Sequence, residues 1–186
     1  MSNKENLYHY CSFDAFRSII QNRTLRFSDI TKMDDESELN FGENACIEAY
    51  KDMQPFVAGI KGFASANNRG NITFVACFSR EENSPHFWKT RDVCIAFHRE
   101  KVENWVRGIQ HMKWEGGEYF RGDYQDIKYY TDAEMAEKAK ELCDKSTDKN
   151  APEIADLLYQ TSRYIKRKEK RYEEEKETRC AFVVNS

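Results

Sequence analysis

Three stretches constrain the fold of this chain most: NITFVACFS (71–79), DVCIAFH (92–98) and TRCAFVVN (178–185). All three are rich in β-branched and aromatic side chains, and none contains proline. Such runs fit a pleated, packed surface, so they predict strands: the first central in a sheet, the second buried and the third the final strand.

Around them the period changes. Residues 7–11 read as a short strand, and Ser12 as the N-cap of a helix over 13–22 in which Phe13, Phe16, Ile19 and Ile20 share a face. TLRFSD (24–29) reads as extended. An acidic stretch (32–40) leads into a longer helix ending near residue 60, and a Gly/Asn/Ser-rich loop (62–71) follows. A polar loop, 79–91, separates the first two apolar runs, and Val102, Trp105 and Val106 mark a short helix at 100–108. HMKWE and EYFRGDYQDIKYY, divided by Gly116-Gly117, read as a hairpin or two irregular strands. Thr131 opens a capping box with Glu134, which predicts a helix to about Cys143. Asn150 and Pro152 begin another, with Ile154, Leu157, Leu158, Thr161 and Ile165 on one stripe. The expected whole is one α+β domain, 1–186, with a mostly antiparallel sheet and flanking helices.

Charged residues make up 33% of the chain but cancel to a net charge of -3, which argues against a strongly basic nucleic-acid binder. The six cysteines are scattered and form no C-x-x-C pair, so they read as buried free thiols in a reducing compartment rather than zinc ligands. No apolar run approaches the roughly 20 residues of a membrane span, and no signal-peptide core is visible. A cytoplasmic protein without membrane contact is expected.

Three regions carry groups suited to chemistry. Tyr8-His9-Tyr10 is either a core strand with a satisfied histidine or the floor of a pocket. Asp34, Asp35, Glu36 and Glu38 are either a solvated helix-capping loop or ligands for a hard cation, as a metal-dependent nuclease would need. Glu175, Glu177 and Arg179 would share a face if the chain there is extended, with the arginine keeping the carboxylates ionised. As a helix end they would be a solvated charge run. Phosphate-binding glycine loops, H-E-x-x-H and G-x-S-x-G are absent from the sequence.

In this order, with ACFS between them, the regions resemble a bacterial family, the domain-of-unknown-function family numbered 2971. Its pattern runs LYHYTS, LR, FNDPFE, CFS, W, GVCI and a closing E.E.R. The corresponding residues are Leu7 to Tyr10 with Ser12, Leu25-Arg26, Asp35 and Glu38, Cys77 to Ser79, Trp88, Val93 to Ile95 with Phe97, and Glu175, Glu177 and Arg179. Cys11 stands where the family has threonine, and the segment after Trp88 is shorter than the pattern.

That family is in turn similar to ADP-ribosyltransferases, including the DarT type. The resemblance implies a split antiparallel sheet around an NAD cleft, with NAD as substrate, in a toxin or phage-defence setting. Breaking the nicotinamide–ribose bond creates an oxocarbenium-like cation, which a carboxylate beneath the ribose can stabilise. By resemblance that carboxylate is Glu177, with Glu175 its rival. His9 donates to a ribose hydroxyl, Tyr10 or Trp88 offers a stacking surface, Arg26 meets the pyrophosphate, and Ser79 orients the ribose or the glutamate. No metal is needed for this step. A non-catalytic module binding a nucleotide or a protein on the same fold is the alternative.

Overall fold

The computed structural model describes residues 5–33, 41, 44–45, 47–52, 57–58, 61, 71–109, 120–144, 165–168 and 170–185. The loop at 62–71, HMKWE, the acidic cluster at 34–38 and the helix from Asn150 lie wholly or largely outside them; of the expected helix ending near residue 60, residues 41, 44–45, 47–49 and 57–58 are helical.

Strand β1 (Asn6–Cys11) leads into helix α1 (Phe13–Asn22), and the Ser12 hydroxyl accepts the Ala15 N–H at 3.2 Å, as its N-cap role predicts. The expected apolar face of α1 is not buried: Phe13 and Ile20 are 61% and 58% exposed. The short β2 (Ser28–Asp29) follows. Strand β3 (Asn71–Ser79) coincides with the first apolar run. Strand β4 (Val93–His98) is followed by helix α2 (Arg99–Ile109), which buries Val102 and Val106 and leaves Trp105 47% exposed. Next come β5 (Phe120–Asp126), β6 (Lys128–Tyr130) and helix α3 (Asp132–Asp144). The α3 capping box is formed in full. Glu134 accepts the Thr131 N–H at 2.7 Å, and the Thr131 hydroxyl accepts the Glu134 N–H at 3.2 Å. The described chain closes with β7 (Ile165–Arg167), a single-turn α4 (Lys170–Glu173) and β8 (Glu177–Asn185). Ile165, expected on a helical stripe, is therefore in a strand.

The fold is mixed α and β on a mostly antiparallel sheet. Its order is β4-β1-β3-β8-β5, with β2 also on β3, while β6 and β7 form a separate parallel pair. Strand β4 lies at the sheet edge and exposes Ala96 and His98, so it is only half-buried, which corrects the expectation of a buried strand. Alternation on β3 and β8 divides the core. Ala76, Phe78, Cys180 and Phe182 pack with Leu7 against Val102 and Val106 of α2. Val75 and Ala181 pack with Ile30 and Ile127 in a second cluster. Gly122 on β5 is required by the first packing, since an added Cβ would lie 2.7 Å from the Val106 carbonyl oxygen and 2.9 Å from the Phe182 ring.

One feature of the topology prepares the site. Strand β8 covers one edge of β3 along its whole length, from Asn71↔Asn185 to Ser79↔Glu177. The other edge is shared. β2 takes Phe74 and Val75, and β1 takes Ser79 through the single pair Tyr8↔Ser79. Between them the edge of β3 opens at residues 76–78.

Candidate active site

A cavity of about 300 Å³ occupies this opening. His9, Tyr10, Arg26, Ser79, Glu175 and Glu177 all line it; Trp88 does not. The structure thus brings together six of the seven residues assigned to the NAD site by resemblance, from four separate segments. Strand alternation would divide His9 from Tyr8 and Tyr10, yet all three line the cavity.

An open strand edge leaves backbone groups to be satisfied by other means. The Cys77 carbonyl is met by His9 Nδ1 at 3.1 Å. A carbonyl only accepts, so Nδ1 carries the proton. Burial lowers the pKa of His9, with the nearby Arg91 adding to this and the bond to Cys77 opposing it. The neutral ring then has Nε2 as an acceptor, so a ligand hydroxyl would donate to His9 rather than receive from it.

Tyr10 fastens the loop over the cavity. Its hydroxyl is shared between the Glu81 and Glu82 carbonyls at 2.8 and 2.7 Å and accepts the Ser84 N–H at 3.0 Å. One ring face stacks on Phe87 at 4.8 Å, and Trp88 meets the ring edge-on at 5.2 Å. Phe87, which sequence reading passed over, is the aromatic of this loop that lines the cavity, while Trp88 is 43% exposed outside it. The Ser79 hydroxyl donates to the Glu175 carbonyl at 2.8 Å, fixing the backbone of that glutamate rather than its carboxylate.

The carboxylates sit where helix α4 turns into β8. Glu175 precedes the strand, and Lys176 adopts a left-handed conformation with φ 43° between it and Glu177. A non-glycine residue in that region is uncommon and concentrates at functional sites. Glu177 is 3% exposed and Arg179 is fully buried. Arg179 holds Glu177 Oε1 through Nε and Nη2, each at 2.9 Å. Lys166 of β7 lies 2.6 Å from Glu177 Oε2 and 2.9 Å from Glu175 Oε2. His86 Nε2 is 3.8 Å from Glu175 Oε1.

The two carboxylates are driven apart in acidity. Burial alone would raise Glu177, but Arg179 and Lys166 outweigh it and hold the group down at about 2. Glu175 has a raised pKa because burial and the charge of Glu177 together exceed the help from Lys166 and His86. Carboxyl pairs separated in this way are the pattern by which sites assign one group a fixed charge and the other a movable proton. On the cavity wall, Arg26 and Arg91 add positive charge, and neither makes an ion pair with a described carboxylate.

Lys166, Phe87, His86 and Arg91 were not anticipated from sequence. Lys166 lay within an expected helix and charge run, and the others sat in a polar loop; only long-range packing marks them.

No family model, curated protein or solved structure matches the chain. Its class is set by fold and cavity: a mixed α/β protein with a mostly antiparallel sheet and a paired-carboxylate cavity at an open strand edge. No described helix is long and apolar enough to cross a membrane.

Proposed function

We propose that the cavity takes NAD or a related nucleotide and that the chain cleaves the nicotinamide–ribose bond, passing ADP-ribose to an acceptor. The observation that carries this reading is the convergence of His9 from β1 with the Glu175–Glu177 pair beside β8 on one opening. The motif order LYHY, LR, CFS and E.E.R points the same way, although no family model reproduces that likeness.

In this mechanism the bond between ribose C1′ and the nicotinamide nitrogen breaks, and its electron pair leaves with neutral nicotinamide. The cationic sugar is stabilised by the fixed charge of Glu177 and by Glu175, the more exposed of the two. The acceptor forms the new bond to C1′ and gives up a proton, for which Glu175 is the suited base. His9 Nε2 takes a ribose hydroxyl, Phe87 offers an apolar wall, and Arg26 with Arg91 neutralises the phosphates.

A second reading, a nucleotide-binding module without turnover, is favoured by the bonding of Glu177. Both of its carboxylate oxygens are already held by cations. Release of nicotinamide from NAD separates the two. The enzyme reading predicts turnover that falls by about two orders of magnitude or more in Glu177→Gln and Glu175→Gln with the fold kept. NAD-induced thermal stabilisation with no nicotinamide released would favour the binding module.

A further inference from the structure

Lys166 belongs to no sequence motif, yet its ammonium group is the only described one within 4 Å of both cavity carboxylates. It arrives from the small parallel sheet, not from the strands that form the opening. We infer that Lys166 is a positioning residue, clamping Glu175 and Glu177 side by side on the cavity wall.

The surroundings fit a built position. The Lys166 side chain is 7% exposed, and its ammonium group lies 5.2 Å from the centre of the Tyr172 ring. β6, its partner strand, reaches the same glutamate from behind: Glu177 N–H donates to the Tyr129 hydroxyl at 3.0 Å. The small sheet thus grips both backbone and side chain of Glu177. Among the described residues, Arg179, Cys77 and Tyr129 also face this cluster beside Glu177, His86 beside Glu175, and Tyr172 beside Lys166. Arg179 reaches Glu177, so removing Lys166 leaves the half-buried Glu175 without its principal cation.

That loss has a sign. Glu175 is raised in the fold, so the folded protein holds its proton to higher pH than the unfolded chain does. A carboxyl of this kind costs stability as pH rises through its folded value, and the cost disappears once it is protonated. Taking away Lys166 raises it further. The resulting deficit is therefore largest above neutrality and shrinks toward the carboxylate range, whereas a packing defect would be the same at every pH.

The test is thermal melting of wild type, Lys166→Met, Glu175→Gln and Lys166→Met/Glu175→Gln between pH 5 and 8, repeated with His86→Asn to remove the imidazole facing Glu175. Lys166→Met is expected to lower Tm by about 10 °C at pH 8 and by less than half that at pH 5. The double variant should recover much of the loss at pH 8, because it removes the stranded carboxylate. If Lys166→Met alone does not fold at pH 8, a folded double variant gives the same result. A deficit independent of pH, or a double variant no better than the single, overturns the inference. The link to chemistry rests on the NAD reading: nicotinamide release by Lys166→Met should lose kcat by about tenfold or more with KM little changed. An unchanged kcat in a folded variant overturns that part. Absence of turnover in the wild type would remove the NAD reading and leave the melting result to decide the role of Lys166.

Discussion

The two edges of β3 are built from one strand and behave oppositely. Toward β8 the ladder is unbroken, with Ala76, Phe78 and Phe182 packed on one face and Val75 and Ala181 on the other. Toward β1 the ladder is reduced to one pair, and its place is taken by side chains: His9 on the Cys77 carbonyl, Tyr10 on the Glu81 and Glu82 carbonyls, and Ser79 on Glu175. A closed edge gives stability without access. An open edge with its polar groups satisfied by side chains gives a cavity without exposing unpaired backbone. Glu177 joins the two edges, since it pairs with Ser79 in the ladder and turns its carboxylate into the cavity.

The largest effect is expected at Arg179, which is wholly buried on the closed side and holds Glu177. Arg179→Met should cost about 3–5 kcal/mol, because it strands a buried carboxylate beside the ladder. Denaturant unfolding measures it, and a loss below about 1 kcal/mol would mean that Lys166 alone suffices. A smaller effect is expected on the open side. Tyr10→Phe removes one hydroxyl that serves three backbone groups, at a cost of about 1–2 kcal/mol, with faster hydrogen exchange at the Ser84 amide. An unchanged Ser84 exchange rate would show that the loop over the cavity is held by other contacts.

Local signals carried much of this architecture. The Ser12 cap, the Thr131–Glu134 box and the apolar runs of β3 and β8 are properties of short windows, and each element lies where its pattern placed it. What the windows missed depends on partners far along the chain. The sequence of β4 is apolar enough for a central strand, but its place at the sheet edge follows from pairing only with β1. Phe13 and Ile20 have helical spacing, yet no element among the described residues covers them. Trp88 and Phe87 are adjacent, and only the stacking of Phe87 on Tyr10 decides which ring enters the cavity. Lys166 is one basic residue in a charge-rich stretch until β6 pairs with β7 and turns it onto the glutamates. The expectation that His9, Arg26, Ser79, Glu175 and Glu177 share one space rested on family resemblance, since no short window contains it, and all five line the cavity.

Whether His9 and the two glutamates serve one ligand is decided by titrating NAD into protein labelled for NMR at the histidine ring nitrogens and glutamate carboxyl carbons, with signals assigned through His9→Gln, Glu175→Gln and Glu177→Gln. His9 Nε2 and the Glu175 carboxyl are expected to shift together along a single binding curve, while His9 Nδ1 keeps its proton and its hydrogen bond to the Cys77 carbonyl. Shifts confined to one side of the opening, or none at either, would contradict a shared ligand.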